Sequence, residues 1–311
     1  MARRARPGAY DRTVESSAAS VTVSGRAALG RLPAPLLLVA AAFSVQSGAA
    51  LATTLFEELG PPGTVFLRTL FAAIVLALLA RPRSWRSWRG GPLRWALGLG
   101  VALAGVNSLF YEAIDRVPLG VAVTVEFLGP LAVAVAGSRR RLDFVWILLA
   151  GSGVALLGSP TVDLDRLGFL LALAAGVFWA AYIVIGKRLG ATWPLGPGLA
   201  VSMAVAAMLV APAGVASGGG DLASPRLAIL ALAVAVLASV VPYALELAAL
   251  RRLPTSTFGI LMSLGPAVAA LAGAIFLSQR LGPVELVAIV LVVAASVGAN
   301  RDAAPRAAPD A

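Results

Sequence analysis

Two stretches decide the fold: "VPLGVAVTVEFLGPLAVAVAG" (117–137) and "LPTSTFGILMSLGPAVAALAG" (253–273). At a constant offset of 136 residues, Pro118 matches Pro254, Gly129-Pro130 matches Gly265-Pro266, and Gly137 matches Gly273. Each stretch is long and apolar enough to cross about 30 Å of hydrocarbon as a helix. The first carries Glu126 in its middle, where a charge is costly; the second has Met262 at that position. The chain therefore reads as a membrane protein built from two related halves, with a carboxylate in one half only.

The rest of the sequence agrees. Of its 311 residues, 59% are hydrophobic and 13% charged, with mean hydropathy +0.89. A soluble domain carries about 25% charged residues, roughly twice this share. Apolar runs recur at roughly 34–56, 62–80, 93–113, 118–137, 143–159, 167–186, 195–215, 227–249, 255–276 and 283–299. The expected fold is thus an all-α membrane protein with ten transmembrane helices, arranged as two inverted five-helix repeats. Residues 1–32 are polar and aperiodic, and are expected to form a disordered cytoplasmic tail. The repeats are expected over 33–160 (helices 1–5) and 161–300 (helices 6–10), with a second cytoplasmic tail over 301–311. The first run follows a tail too long for an ordinary signal-peptide start, so it is expected to stay as the first span.

Five spans is an odd number, so the second half must enter the membrane from the opposite face. Loop charges follow that inversion. "FEELG" (56–60) after span 1 is acidic, and its counterpart "GKRLG" (186–190) after span 6 is basic. The arginine-rich "RPRSWRSWRG" (81–90) after span 2 corresponds to "SGGGD" (217–221) after span 7, which has no base. With the N-terminus in the cytoplasm, twenty of the 25 basic residues lie in inside segments and four (Arg116, Arg166, Arg226 and Arg280) in outside loops. That is the positive-inside pattern, with both termini cytoplasmic. It also explains the net charge of +10 without any nucleic-acid partner. Inverted repeats are the construction of many secondary transporters, which place a site near the midplane and open it alternately to each face.

Cysteine and histidine are both absent. No disulfide framework, thiolate nucleophile or Cys/His metal site can form, and proton chemistry near neutral pH falls to carboxylates. No GxxxxGK[ST] phosphate loop is present, so an ion gradient rather than ATP would supply energy. The few acids are scattered singly, which argues against an intramembrane enzyme. No cofactor is expected.

Ionisable residues inside a membrane usually face a bundle interior or a watery cavity. Glu126 lies about eight residues into its span, roughly 12 Å deep. Pro130 has no N–H for the Glu126 carbonyl, leaving a free acceptor beside the carboxylate. This cluster suits an ammonium group or a proton; a structural, helix-tying glutamate is the alternative. Arg68, roughly 10 Å deep in span 2, has three possible uses. It can bind a substrate carboxylate bidentately, pair permanently with Glu126, or reach outward to the interface. Glu246 in span 8 is a second candidate for substrate or proton, with a salt bridge to Arg251 or Arg252 as the competing use. Asn107 and Tyr111 are four apart on one face of span 3, and Gln46 and Ser47 share span 1. Each can bond substrate or join helices. Trp179 and Tyr182 on span 6 and Tyr243 on span 8 either pack or line a cavity; Trp179 and Tyr243 are kept as candidates. Trp85, Trp88, Trp95 and Trp193 suit the membrane interfaces.

Beyond these readings, the sequence resembles the EamA-type branch of the drug/metabolite transporter superfamily. The residues that carry the likeness include "SVQSGAALA" (44–52), "FLRTLFA" (66–72), "NSLFYEAIDRVPLGVAVTVEFLGPLAVAV" (107–135) and "VPYALELAALRRLPTSTFGILMSLGPAVAA" (241–270). "RRRLDFVWILLA" (139–150) and "FLSQRL" (276–281) add to it, and together they cover about 33–300. The resemblance implies ten helices, a central cavity and export of small amino acids of the threonine and homoserine kind from a bacterial cell through its inner membrane. Export or facilitated passage of another metabolite or a drug is the alternative cargo. A proton competing with substrate for Glu126 would make the exchange an antiport. The partners expected are thus a small amino acid, a proton and the lipid bilayer, with the oligomeric state left open. Met262 opposite Glu126 and the long N-terminal tail are departures from the repeat and family patterns.

Overall fold

The computed structural model describes residues 32–80, 91–136, 142–159, 164–192, 195–250, 252–253 and 255–302. Of the expected tails at 1–32 and 301–311, residues 1–31 and 303–311 lie outside the described residues, as does the arginine-rich loop at 81–90. So do Arg139, Arg140, Arg141, Arg251, Trp85, Trp88 and Trp193.

Every regular element among the described residues is helical. The α-helices are α1 (Ala34–Thr53), α2 (Phe56–Ala80), α3 (Gly91–Ile114), α4 (Leu119–Glu126) and α5 (Leu128–Ala136). They continue with α6 (Leu142–Leu157), α7 (Arg166–Thr192), α8 (Leu195–Gly218), α9 (Pro225–Ala235) and α10 (Val241–Leu250). The chain closes with α11 (Thr255–Met262), α12 (Gly265–Phe276) and α13 (Pro283–Asp302). A π-helical turn, Val236–Val240, joins α9 to α10 without leaving the helical path.

Eight helical stretches among the described residues are long and apolar enough to span a membrane, with α4–α5 and α11–α12 each counting as one. Two further apolar stretches, 144–157 and 225–240, are shorter. They fall on the expected fifth and eighth spans. Leu78, Leu79, Phe144, Leu148, Val177, Met208, Ile229 and Val290 are exposed on the outside of the bundle. A soluble monomer would not tolerate that much apolar surface; a lipid-bathed one requires it. The protein is a multi-pass membrane protein.

Lipid tails are as apolar as leucine, so helix association here depends on close packing rather than hydrophobic exclusion. The crossings accordingly fall on small residues. Gly100 of α3 lies against Val205 of α8, Gly105 against Phe178 of α7, and Gly153 of α6 against Ala288 of α13. The principal pairs are α2 with α8, α3 with α7 and α8, α6 with α13, α1 with α10, and α4 with α12. Near its start α2 bends at Gly60, whose φ of +65° suits a residue without a Cβ. There the Ser217 hydroxyl donates to the Leu59 carbonyl at 2.7 Å, fastening α8 to the bend.

Candidate functional site

The fourth apolar run does not form one unbroken helix. It divides at Phe127 into α4 and α5, and Glu126 is the last residue of α4, only 6% exposed. Pro130, four residues on, has no N–H for the Glu126 carbonyl. Helix α7 presses against this spot. A Cβ on Gly176 would stand 2.7 Å from the Glu126 carbonyl oxygen, so a larger residue there would push the helices apart. The ninth run divides at the corresponding place: α11 ends at Met262, α12 begins at Gly265, and Pro266 withholds its N–H from Met262. The two breaks touch. The Phe127 ring lies against Gly265 and edge-on to Trp179, with centroids 5.2 Å apart.

Arg68 projects from α2 into a prepared setting. Its guanidinium donates to Asn107 Oδ1 and reaches the Ala238 carbonyl at 3.4 Å. It also lies over the Tyr111 ring, 5.2 Å from the centroid. Asn107 Nδ2 donates to the Leu103 carbonyl one turn back at 2.7 Å, which aims Oδ1 at the arginine. Ala238 belongs to the π-helical turn, whose widened ladder offers carbonyls to side chains. Its neighbour Leu237 accepts from the Ser44 hydroxyl at 2.7 Å. A permanent Arg68–Glu126 pair, one of the three uses open for Arg68 in the sequence, does not form. The ion pairs among the described residues are Arg116–Glu112 at 3.9 Å and Arg226–Glu58 at 2.8 Å. Arg68 instead takes neutral partners, which leaves Glu126 with neither ion pair nor hydrogen bond among the described residues.

Among the described residues, three buried side-chain atoms lack a well-formed hydrogen bond: Gln46 Oε1, Arg68 Nε and the Tyr111 hydroxyl, which lies beside the Arg68 guanidinium. Buried polar atoms are almost always satisfied, so three orphans in one place need an explanation. All three residues line a single cavity of about 640 Å³, together with Asn107, Glu126, Trp179 and Glu246. Seven side chains named from the sequence, drawn from six separate apolar runs, thus face one space. Tyr182 lines it too, so Trp179 and Tyr182 both pack and present a surface. Tyr243 lies on α10, and its side chain is outside the described residues. Trp95 lies apart from the cavity residues and stacks with the guanidinium groups of Arg94 and Arg188, at 5.0 and 5.9 Å.

The cavity also holds polar residues that sequence reasoning passed over: Ser239, Ser263, Ser296 and Asn300. A signal for them existed. Ser263 follows Met262, the repeat counterpart of Glu126, and Ser296 and Asn300 are four apart in the last span.

This arrangement of broken helices around a polar cavity has relatives. The threonine/homoserine exporter RhtA of Escherichia coli (strain K12) is 45% identical over 280 residues, covering 86% of this chain and 91% of that protein. The protein of the same name from Salmonella typhimurium (strain LT2) is 44% identical over 280 residues, with the same 86% and 91% coverage. An uncharacterized transporter of Bacillus subtilis, YwfM, is 28% identical over 203 residues, covering 62% of this chain and 68% of its own. One solved crystal structure superposes with a TM-score of 0.60 at 20% identity, covering 87% of this chain and 97% of that one, a likeness of fold alone. The EamA-like transporter family matches twice in succession, over residues 32–159 and 166–301. A double match spanning nearly all the described helices leaves one assignment: the chain belongs to the EamA-like transporter family.

Proposed function

We propose that this protein exports small zwitterionic amino acids, threonine and homoserine among them, from the cytoplasm through a bacterial inner membrane in exchange for protons. One observation carries the reading. Glu126, a carboxylate in no ion pair among the described residues, and Gln46, Arg68 and Tyr111, each with a buried polar atom lacking a hydrogen-bond partner, line the same cavity. A zwitterion supplies what they lack. Its ammonium meets Glu126, and its carboxylate accepts from Arg68 Nε and the Tyr111 hydroxyl. Asn107 holds the guanidinium at the correct angle, Gln46 Oε1 accepts from substrate, and Trp179 flanks it. The printed cargo of the relatives at 45% and 44% identity points the same way.

Proton coupling follows from competition. Glu126 is in no ion pair, the Arg68 guanidinium being held by Asn107, Ala238 and the Tyr111 ring, so a proton and a substrate ammonium compete for the same carboxylate. Glu246, nearer the other end of the cavity, is the second proton site. Export down an opposing proton gradient needs only that both cannot occupy Glu126 together.

The reading extends to topology. The ten spans are two inverted repeats, over 33–160 and 161–300, with cytoplasmic tails at 1–32 and 301–311. Three features support this. The family matches once in each half. The breaks at Glu126 and Met262 occupy equivalent positions. The packing also maps onto itself when each first-half span is exchanged for its second-half counterpart. Span 2 meets 7, span 4 meets 9 and span 5 meets 10, while the 3–6 contact becomes 1–8. The short stretch at 225–240 ends in the π-helical turn and runs directly into α10, which lengthens the eighth span. On the positive-inside orientation, the cavity runs from Tyr111 toward Glu246 and Asn300 at the cytoplasmic end. On the outer side, Gln279 Oε1 accepts from the Leu119 N–H at 3.0 Å.

The test is counterflow of labelled threonine and homoserine in proteoliposomes, with and without an imposed proton gradient, for wild type and Glu126→Gln. Gradient-driven movement in wild type, and at least about tenfold weaker coupling in the variant, is the expected result. Normal coupling in Glu126→Gln would move the proton site to Glu246. Wild-type indifference to both amino acids would sink the cargo assignment and leave the fold standing.

A further inference from the structure

Opposite the broken fourth span, the cavity wall carries a hydrogen-bond network that the zwitterion does not use. The Ser263 hydroxyl donates to the Gly259 carbonyl at 2.8 Å, so its one proton is committed. In the 2.7 Å Ser263–Ser296 contact, Ser296 must then be the donor. Asn300 Nδ2 gives its two protons to Ser263 Oγ at 3.2 Å and to the Ser296 carbonyl at 2.9 Å, which fixes the amide orientation. Every proton in the network is spent inside it. What remains is the Ser296 oxygen lone pairs and Asn300 Oδ1, all acceptors, on residues that line the cavity. Asn300 Oδ1 lies over Gly259, where any side chain would strike it.

We propose that Ser296 and Asn300 form a subsite that accepts a hydrogen bond from the side-chain hydroxyl of the substrate, so that the transporter selects hydroxy amino acids over their deoxy counterparts. This rests on the amino-acid-export reading and adds to it the group that distinguishes the cargo. The acceptors are neutral and suit a neutral donor; an ammonium seeks the charge of Glu126 instead. Spacing agrees. Glu126 lies about 12 Å from one face and Ser263 about 12 Å from the other, the two spans entering from opposite sides. Across a core of about 30 Å they differ in depth by roughly 6 Å, about the reach of a four-carbon amino acid. Contact between the two breaks through Phe127 and Gly265 keeps them laterally close. An acceptor-only pocket rejects a ligand without a donor, because buried acceptors are then left desolvated.

The experiment measures counterflow of homoserine, threonine and 2-aminobutyrate, the last being the deoxy form of both, in wild type, Ser296→Ala and Asn300→Ala. Wild type should prefer the hydroxy substrates by at least about tenfold. In the variants that ratio should fall toward one, with 2-aminobutyrate movement retained as the sign of a folded protein. A second arm uses wild type alone, with 2-aminobutyrate and O-methylhomoserine as competitors. The ether oxygen still accepts but no longer donates, so both compounds should compete at least about tenfold less well than homoserine. Should both variants lose all transport, this arm decides. Equal handling of hydroxy and deoxy substrates, an unchanged ratio in the variants, or full competition by the methyl ether overturns the subsite and leaves amino-acid export intact. A wild type that moves none of the three overturns both.

Discussion

Tyr111 separates a binding role from a structural one at a single atom. Its ring is 1% exposed, lies 5.9 Å from the Phe56 ring and carries the Arg68 guanidinium, while its hydroxyl lacks a well-formed hydrogen bond. Removing that oxygen therefore costs the empty protein no well-formed hydrogen bond, only the approach of the hydroxyl to the Arg68 guanidinium, and relieves a desolvation cost of about 1–3 kcal/mol. Tyr111→Phe should melt at the same temperature as wild type or higher. Its half-saturating substrate concentration should rise about tenfold, because a bond to the substrate carboxylate is lost. Thermal unfolding and counterflow on the same preparation check both halves. A tyrosine that only packs would leave the half-saturating concentration unchanged.

At the scale of elements, the decisive feature is the pair of interrupted helices. A Leu-Gly-Pro sequence stands at each break, and the proline leaves the carbonyl four residues before it without a backbone donor. In the first repeat that carbonyl belongs to Glu126, so a backbone acceptor and a carboxylate share one residue. Pro130→Ala would restore the N–H and let α4 and α5 join as one regular helix. The expected outcome is a melting temperature a few degrees higher, with transport reduced several-fold as the free carbonyl disappears. Greater stability together with unimpaired transport would show that the break serves packing alone.

For the whole molecule, orientation is the property to check, and the sequence makes the check simple. The chain has no cysteine, so single-cysteine variants need no prior removal of native thiols. Asp221 and Lys187 are both exposed and lie at the ends of helices on opposite proposed faces. Asp221→Cys should react with a membrane-impermeant maleimide in intact cells, and Lys187→Cys only after permeabilisation. The reverse pattern would invert the assignment. Packing gives a reason to expect one answer for both sites: α2 with α8 and α6 with α13 join the halves at close quarters.

Much of this was legible in the chain itself. Hydrocarbon thickness sets the length of each apolar run, and the lack of water in the core forces helices, so the all-helical membrane class follows from composition alone. Glu126, Arg68 and Glu246 stand out because an ionisable group in such a run is expensive and rarely idle. Sequence could not say whom they meet. Whether Arg68 pairs with Glu126 or with Asn107 depends on which helix faces which, and Asn107 lies thirty-nine residues away on α3. The same holds for Ser263, Ser296 and Asn300. Serines and asparagines cost little inside a helix and announce nothing singly, because each can bond its own preceding turn. Only the crossing of α11 with α13 spends their protons on one another, on residues that line the cavity. The sequence determined what had to be buried in the membrane; the tertiary packing decided which buried groups were left without partners.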